Sequence, residues 1–361
     1  MSRVMRVQSW IDERLDFEEL LSLVREKTVP VHRHSAWYLL GGMTLFLFLV
    51  QVCTGVLLLL YYRPTTSDAY ESVQTITYHV QFGWLIRSLH SWSANLMVLF
   101  AFAHMFSVAF TRAYRKPREL TWISGVFLLS LVLGFGFSGY LLPWNTRAFF
   151  ATKVGTEVAG QLPLIGHFIM VLMRGGEDVS GATLTRFFGL HVVILPALAA
   201  GMLICHLLLV QKFGISVPPS IQLEWDGNPE KRKEMKFFPN FFLRELMGWY
   251  IALGVLLALA VFLPWELGDK ADPFSSAPPG IKPEWYFLAQ FQTLKLIPSR
   301  ILFVDGEVLG ILGFGCGAAL WTALPFLEGV LGERSQRWVR IGIFCVLAYL
   351  AAMSVVGYVA K

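Results

Sequence analysis

The chain has 361 residues, 55% hydrophobic, 14% aromatic and only 15% charged, where soluble domains carry about 25% charged residues. This composition argues against a water-soluble globular enzyme. The net charge of +5 does not mark a nucleic-acid binder either, because the 30 Lys and Arg lie between apolar runs.

Uncharged stretches of 20 residues or longer follow one another along the chain: Ser35–Tyr62, Ser88–Thr111, Leu120–Thr146, Phe187–Gln211, Leu246–Trp265, Val308–Leu327 and Ile341–Ala360. A helix needs about 20 such residues to cross the hydrocarbon core, so an all-α integral membrane protein with seven transmembrane helices is predicted. The segment Met1–His34 is rich in Arg, Asp and Glu and has no apolar core. No cleavable leader is expected, and the first span is its own insertion signal. With connections assigned to alternate sides, 19 Lys and Arg fall on the N-terminal side and 10 on the other, Arg87 being left out of both tallies. The positive-inside rule then predicts a cytoplasmic N-terminus.

Two connections on the outer side are long. Arg147–Arg186 contains the uncharged run Val158–Met173, too short to span and expected to lie at the interface or re-enter part-way. Glu266–Glu307 holds the Pro/Ser-rich stretch Asp272–Gly280 and then the amphipathic run Trp285–Val304. Non-helical backbone at membrane depth must be buried in protein or line a cavity, so these connections are expected to wall an outer-side pocket. The polar stretch Pro218–Asn240 separates four spans from three and is the expected joint between two parts. Cys53, Cys205, Cys316 and Cys345 all lie in spans with no CxxC or CxxCH spacing, and are read as small core residues.

Four of the eight histidines fall inside two spans. His90 and His104 in the second are 14 positions apart, which places them about 40° apart around the helix; His191 and His206 in the fourth are 15 apart, about 60°. Each pair shares a face and is separated by about 21–22 Å of rise. The second and fourth spans run in the same direction, so His90 meets His191 near the outer surface and His104 meets His206 near the inner one. A single membrane histidine is often only a helix-to-helix hydrogen bond; two matched pairs point to metal or haem ligation. Zinc or copper would call for further Cys or carboxylate ligands, whereas haem brings four equatorial nitrogens and needs only an axial pair. Gly41 and Gly55 in the first span, and Gly125 and Gly139 in the third, repeat the 14-residue interval. Glycine alone promotes close packing in membranes; the repeated interval favours room for two haem plates.

These residues, together with FGWLIR at Phe82–Arg87, KPRELTW at Lys116–Trp122, GYLLPW at Gly139–Trp144 and PEWY at Pro283–Tyr286, resemble cytochrome b of the quinol:cytochrome c oxidoreductase (cytochrome bc) family over nearly the whole chain. The second His pair has 14 intervening residues where the mitochondrial type has 13, and seven spans stand where that type has eight. The chain therefore resembles the chloroplast-type four-helix haem-binding cytochrome b fused to its three-helix partner, subunit four, which implies that the two parts are 1–219 and 220–361.

The resemblance implies two b haems, with His90–His191 and His104–His206 as axial ligands. It also implies quinol oxidation and proton release on the outer side. One electron goes to a Rieske iron–sulfur protein and the other crosses through the haems to an inner quinone site. Glu284 is implied as the acceptor of a quinol proton, with Tyr286 beside it, and Arg87 as a contact to an outer haem propionate. Arg118 or Lys116 are the corresponding candidates inside, and Arg33, His34 and Lys212 are candidates for the inner quinone site. His32, His79 and His167 are read as interface or loop residues. Alignment at Tyr38–Gly42 (YLLGG) puts Leu39 where the chloroplast type has a haem-attaching Cys, so no covalent third haem is expected. A c-type cytochrome on another polypeptide, membrane lipids, a homodimeric assembly and a prokaryotic inner membrane complete the expectation. The alternatives are a di-haem anchor linking quinone to a dehydrogenase or hydrogenase, and a transporter, for which broken helices and internal repeats would be required.

Overall fold

The computed structural model describes residues 9–14, 26–331 and 336–360; most of the charged segment ahead of the first span lies outside them. Six helices are long and apolar enough to cross a membrane: Ser35–Leu59, Gly83–Thr111, Glu119–Leu141, Gly181–Phe213, Phe237–Phe262 and Arg337–Val359. A seventh crossing is the bent pair Gly306–Thr322 and Leu324–Val330, which turns by 66°. We number these seven in chain order with the bent pair as the sixth. Only 6–28% of the apolar window in each of the six straight spans is buried within the chain, and apolar surface on that scale is stable against lipid, not water. The molecule is a multi-pass membrane protein.

The ends of the spans differ from the sequence reading where backbone chemistry intervenes. The third span stops at Leu141 and not Thr146, because Pro143 cannot continue the ladder. The second begins at Gly83, five residues early, and draws Arg87 into its first turns. The sixth bends because Pro325 has no N–H for the Trp321 carbonyl, which instead accepts from Trp122 Nε1 at 3.1 Å. Val158–Met173 is not one segment but parts of two short helices, Thr146–Gly160 and Gly166–Arg174. Leu164, Ile165 and Phe168 are exposed at their junction, as suits an interfacial position.

The first span packs chiefly on the second and the third on the fourth, with the fifth against the first and second. On one side of the molecule, strand β1 (Thr28–Val31) pairs antiparallel with β2 (Lys233–Lys236), stitching the N-terminal segment to the polar stretch after the fourth span. Glu328, buried at the foot of the sixth span, binds the second–third connection on that side. It accepts from Tyr114 Oη at 2.5 Å and Arg115 Nη2 at 2.5 Å and pairs with Arg112. On the far side, Asn145 Nδ2 donates to the Leu267 carbonyl at 2.6 Å, and Tyr70 Oη to that of Gly268 at 2.8 Å. The connections after the first, third and fifth spans are thereby gathered into one cap.

Candidate functional site

His90 and His191 face each other beneath the far-side cap, ring centroids 6.4 Å apart and planes at 73°. Two imidazoles that each give one nitrogen to a shared metal at about 2 Å would have centroids roughly 6 Å apart, so this pair is already at ligating distance. Each of the four histidines lies against one glycine of the neighbouring span. A Cβ on Gly55 would sit 3.4 Å from His90 Cε1, and one on Gly139 only 2.5 Å from His191 Cε1; toward the N-terminal side the corresponding contacts are Gly41 to His104 at 3.1 Å and Gly125 to His206 at 3.4 Å. A side chain at Gly139 would push its ring out of place and one at Gly41 would crowd it, while at Gly55 and Gly125 a Cβ would just touch the imidazole. Among the described residues no three His, Cys, Asp or Glu side chains converge as a metal site, so each pair stands as a two-ligand arrangement. The donor set and the space fit a bis-imidazole haem at the far-side pair, and the glycines against His104 and His206 repeat the same close approach toward the N-terminal side.

His191 lies in a π-helical turn, Leu190–Ile194. Pro196 has no N–H for the Val192 carbonyl, and the ladder widens there. A π-turn holds one extra residue, so it absorbs the difference between the spacings of 15 and 14. Discounting one residue turns the offset of the second pair by about 100°, from about 60° on one side to about 40° on the other, which is the offset of the first pair.

A cavity of about 350 Å3 joins the His90–His191 pair to Glu284 and Tyr286 and is also lined by Arg87, Asn95 and Tyr140. PEWY sits at the start of the helix Trp285–Leu296, which packs on the seventh span. Trp285 Nε1 donates to Asn95 Oδ1 on the second span at 2.8 Å, and Gly136 on the third span makes room for the Tyr286 phenol, which lies 2.6 Å from where a Cβ would be. Burial pushes the Glu284 carboxyl above the usual carboxylate range, opposed by the nearby Arg147 guanidinium. Burial, then Glu284 and Tyr140, push the Tyr286 phenol up. The Tyr140 hydroxyl lies on the cavity wall beside the Arg147 side chain and the Glu284 carboxyl, which it also helps to hold in its ionised form. Arg87 stands near the far-side end of the second span. Its Nη1 donates to the Trp265 carbonyl at 2.6 Å and its Nη2 to that of Glu266 at 2.8 Å, so it fastens the fifth span's end to the second while one edge still faces the cavity.

Near the N-terminal side, Glu245 of the fifth span packs directly on Gly42 of the first, next to the glycine that faces His104. Its Oε2 and the Trp249 Nε1 are buried without partners. Three of the residues considered from sequence for this side have partners of their own. Arg33 pairs with Glu224 at 3.0 Å, Lys212 lies over the Phe213 ring at 5.4 Å, and Arg118 Nη2 donates to the Phe213 carbonyl at 2.8 Å, closing the end of the fourth span. Sequence reasoning missed Glu245, Tyr140, Arg147, Asn95 and Gly136. A carboxylate inside an apolar helix was the available signal for Glu245; the others announce themselves only through contacts.

The fold is that of a multi-pass helical membrane protein with a facing histidine pair, His90 and His191, beneath its far-side cap. The family description Cytochrome b/b6/petB matches residues 24–214, and Cytochrome b(C-terminal)/b6/petD matches 270–361. A cytochrome bc complex cytochrome b subunit of Chlorobaculum thiosulfatiphilum is 48% identical over 347 residues, 95% of this chain and 79% of that protein. Cytochrome b6 of Heliobacterium mobile is 46% identical over 211 residues, 58% of this chain and 99% of its own. A solved structure described as a hyperthermophilic respiratory Complex III superposes with a TM-score of 0.85 at 30% identity, covering 98% of this chain and 91% of the other. The chain therefore belongs to the cytochrome b/b6 family, as the cytochrome b subunit of a bc-type quinol oxidoreductase complex.

Proposed function

We propose that the chain holds two b haems, one between His90 and His191 on the far side and one between His104 and His206 on the N-terminal side, and that it oxidises quinol in the far-side cavity. One observation carries this reading: four histidines at two depths, each opposite a glycine, with the far-side pair sharing its cavity with a partly buried carboxyl. Haem held this way supplies a one-electron centre with no open coordination position.

Glu284 is the base. A carboxylate with a raised pKa accepts a proton from a quinol hydroxyl more readily than an ordinary one, and its place in the cap gives that proton a short way out. Tyr286, seated over Gly136, and Trp285, tied to Asn95, fix the mouth of the helix so that the carboxyl faces the ring. The Trp285–Leu296 helix closes the cavity from the side, an element a simple di-haem anchor does not need.

Glu245 is the counterpart on the N-terminal side, a carboxyl positioned to deliver a proton to a quinone bound beside Gly42. Glu245→Gln is expected to slow quinone-driven oxidation of the N-terminal-side centre about tenfold or more in flash or stopped-flow traces, with far-side reduction unaffected. An unchanged trace removes Glu245 from the inner site.

Leu39 at the start of the first span offers no thiol, so no covalently attached third haem is included. The side bearing 19 of the Lys and Arg is the cytoplasmic face of a prokaryotic inner membrane, and the far side faces outward. The partners are a Rieske iron–sulfur protein and a c-type cytochrome on separate polypeptides, in a homodimeric complex. The chain is organised as a four-helix haem-binding part, 1–219, and a three-helix part, 220–361, that carries PEWY. Optical redox titration of the purified chain should show two low-spin b-type centres, and a pyridine haemochrome assay should leave no haem on the denatured polypeptide. One centre, or pigment that resists extraction, refutes this cofactor assignment.

A further inference from the structure

Three of the four histidines share a device that the glycines alone do not reveal. Thr54 Oγ1 lies 2.8 Å from His90 Nδ1, Ser138 Oγ 3.1 Å from His191 Nδ1, and Ser124 Oγ 2.9 Å from His206 Nδ1. Each hydroxyl residue immediately precedes the glycine that faces the same ring. Each also has its own proton committed to a carbonyl of its helix: Thr54 to Val50 at 2.7 Å, Ser138 to Phe135 at 3.3 Å and Ser124 to Thr121 at 2.9 Å. The oxygen is left as an acceptor, so Nδ1 is the nitrogen that carries hydrogen and Nε2 keeps its lone pair. The fourth position, before Gly41, is Leu40. His104 Nδ1 is correspondingly buried with no hydrogen-bond partner.

We propose that Thr54, Ser138 and Ser124 are positioning residues that fix the tautomer and donor strength of His90, His191 and His206, and that Leu40, by withholding a fourth acceptor from His104, gives the N-terminal-side centre the higher reduction potential. The proposal rests on the haem-ligand reading above. An acceptor on Nδ1–H raises the electron density of the ring and strengthens Nε2 as a donor, which favours ferric over ferrous iron. Two such acceptors serve the far-side pair and only one the other. Electron transfer from the far side toward the N-terminal side is thereby made downhill by hydrogen bonding alone, before any difference in solvation.

The test is an optical redox titration of the membrane-embedded complex, with low-spin ferric EPR as a second readout and the centres assigned by which signal His191→Leu removes. Thr54→Val, which keeps shape and deletes the acceptor, should raise the far-side midpoint by about tenfold in the ferric-to-ferrous ratio, or about 59 mV. Thr54→Ser should restore the parental value. Leu40→Thr should lower the other midpoint in the opposite sense. Two centres present with midpoints and EPR signals unmoved in both Thr54→Val and Leu40→Thr overturn the proposal. A parent protein without two b-type centres defeats the ligand reading instead, and the two failures are therefore separable.

Discussion

His191→Leu removes half of the b-type absorbance and lowers quinol oxidation by more than about 100-fold, the upper range for losing a residue that merely supports a ligand. Each iron has only two protein ligands in this arrangement, and among the described residues no third His, Cys, Asp or Glu side chain stands ready to replace one. Leu fills the imidazole's space beside Gly139, so the helix pair is retained while the nitrogen is lost. The other centre, between His104 and His206, keeps its spectrum because it lies about four helical turns away. His167→Leu serves as the control: that ring is exposed and pairs with Glu177 at 3.1 Å, and both turnover and spectrum are expected to stay at parental values. Full pigment and full electron flow in His191→Leu would remove the basis of the site.

Glu284→Gln separates the proton from the pigment. Both b-type spectra are expected to remain, while quinol oxidation falls by about 10²–10⁴-fold, the range for loss of a general base. The pH dependence has a definite sign. Glu284 must be ionised to accept a proton and burial raises its pKa, so the rate should climb as pH rises through a value above the ordinary carboxylate range. That limb should be missing in the variant. The same shift means that the folded state binds this proton more tightly than the unfolded chain does. The associated stability is complete below the unfolded pKa and is lost as pH rises through the folded one. Gln is neutral throughout, so the variant should not lose stability across that window, and a fall in rate cannot be charged to unfolding. An undiminished rate in Glu284→Gln would take the residue out of the mechanism.

The parts legible in the sequence were those written in period and type. A histidine every four turns on two parallel spans, and glycines at the same interval on their neighbours, identify facing positions without coordinates. PEWY identified the far-side helix. What escaped notice depends on backbone bonding or on contacts between distant segments. The strand Lys233–Lys236 is short and charged and shows no alternating pattern, so its pairing with Thr28–Val31 could not be read. Arg87 looked like an anion contact because its charge is visible in sequence, whereas the carbonyls of Trp265 and Glu266 that it binds are not. Thr54, Ser124 and Ser138 carry no sequence signal of their own, and only their distances to Nδ1 distinguish them.

The widened turn around His191 bears on how such chains tolerate changes of length. A single added residue in a membrane helix normally rotates everything beyond it by about 100° and would swing one ligand away from its iron. Stored as slack beside a proline, the surplus is confined to one loop of the ladder, and the nitrogens at both ends keep their aim. The turn at Leu190–Ile194 thus lets this chain carry an odd spacing between His191 and His206 as a ripple in the backbone.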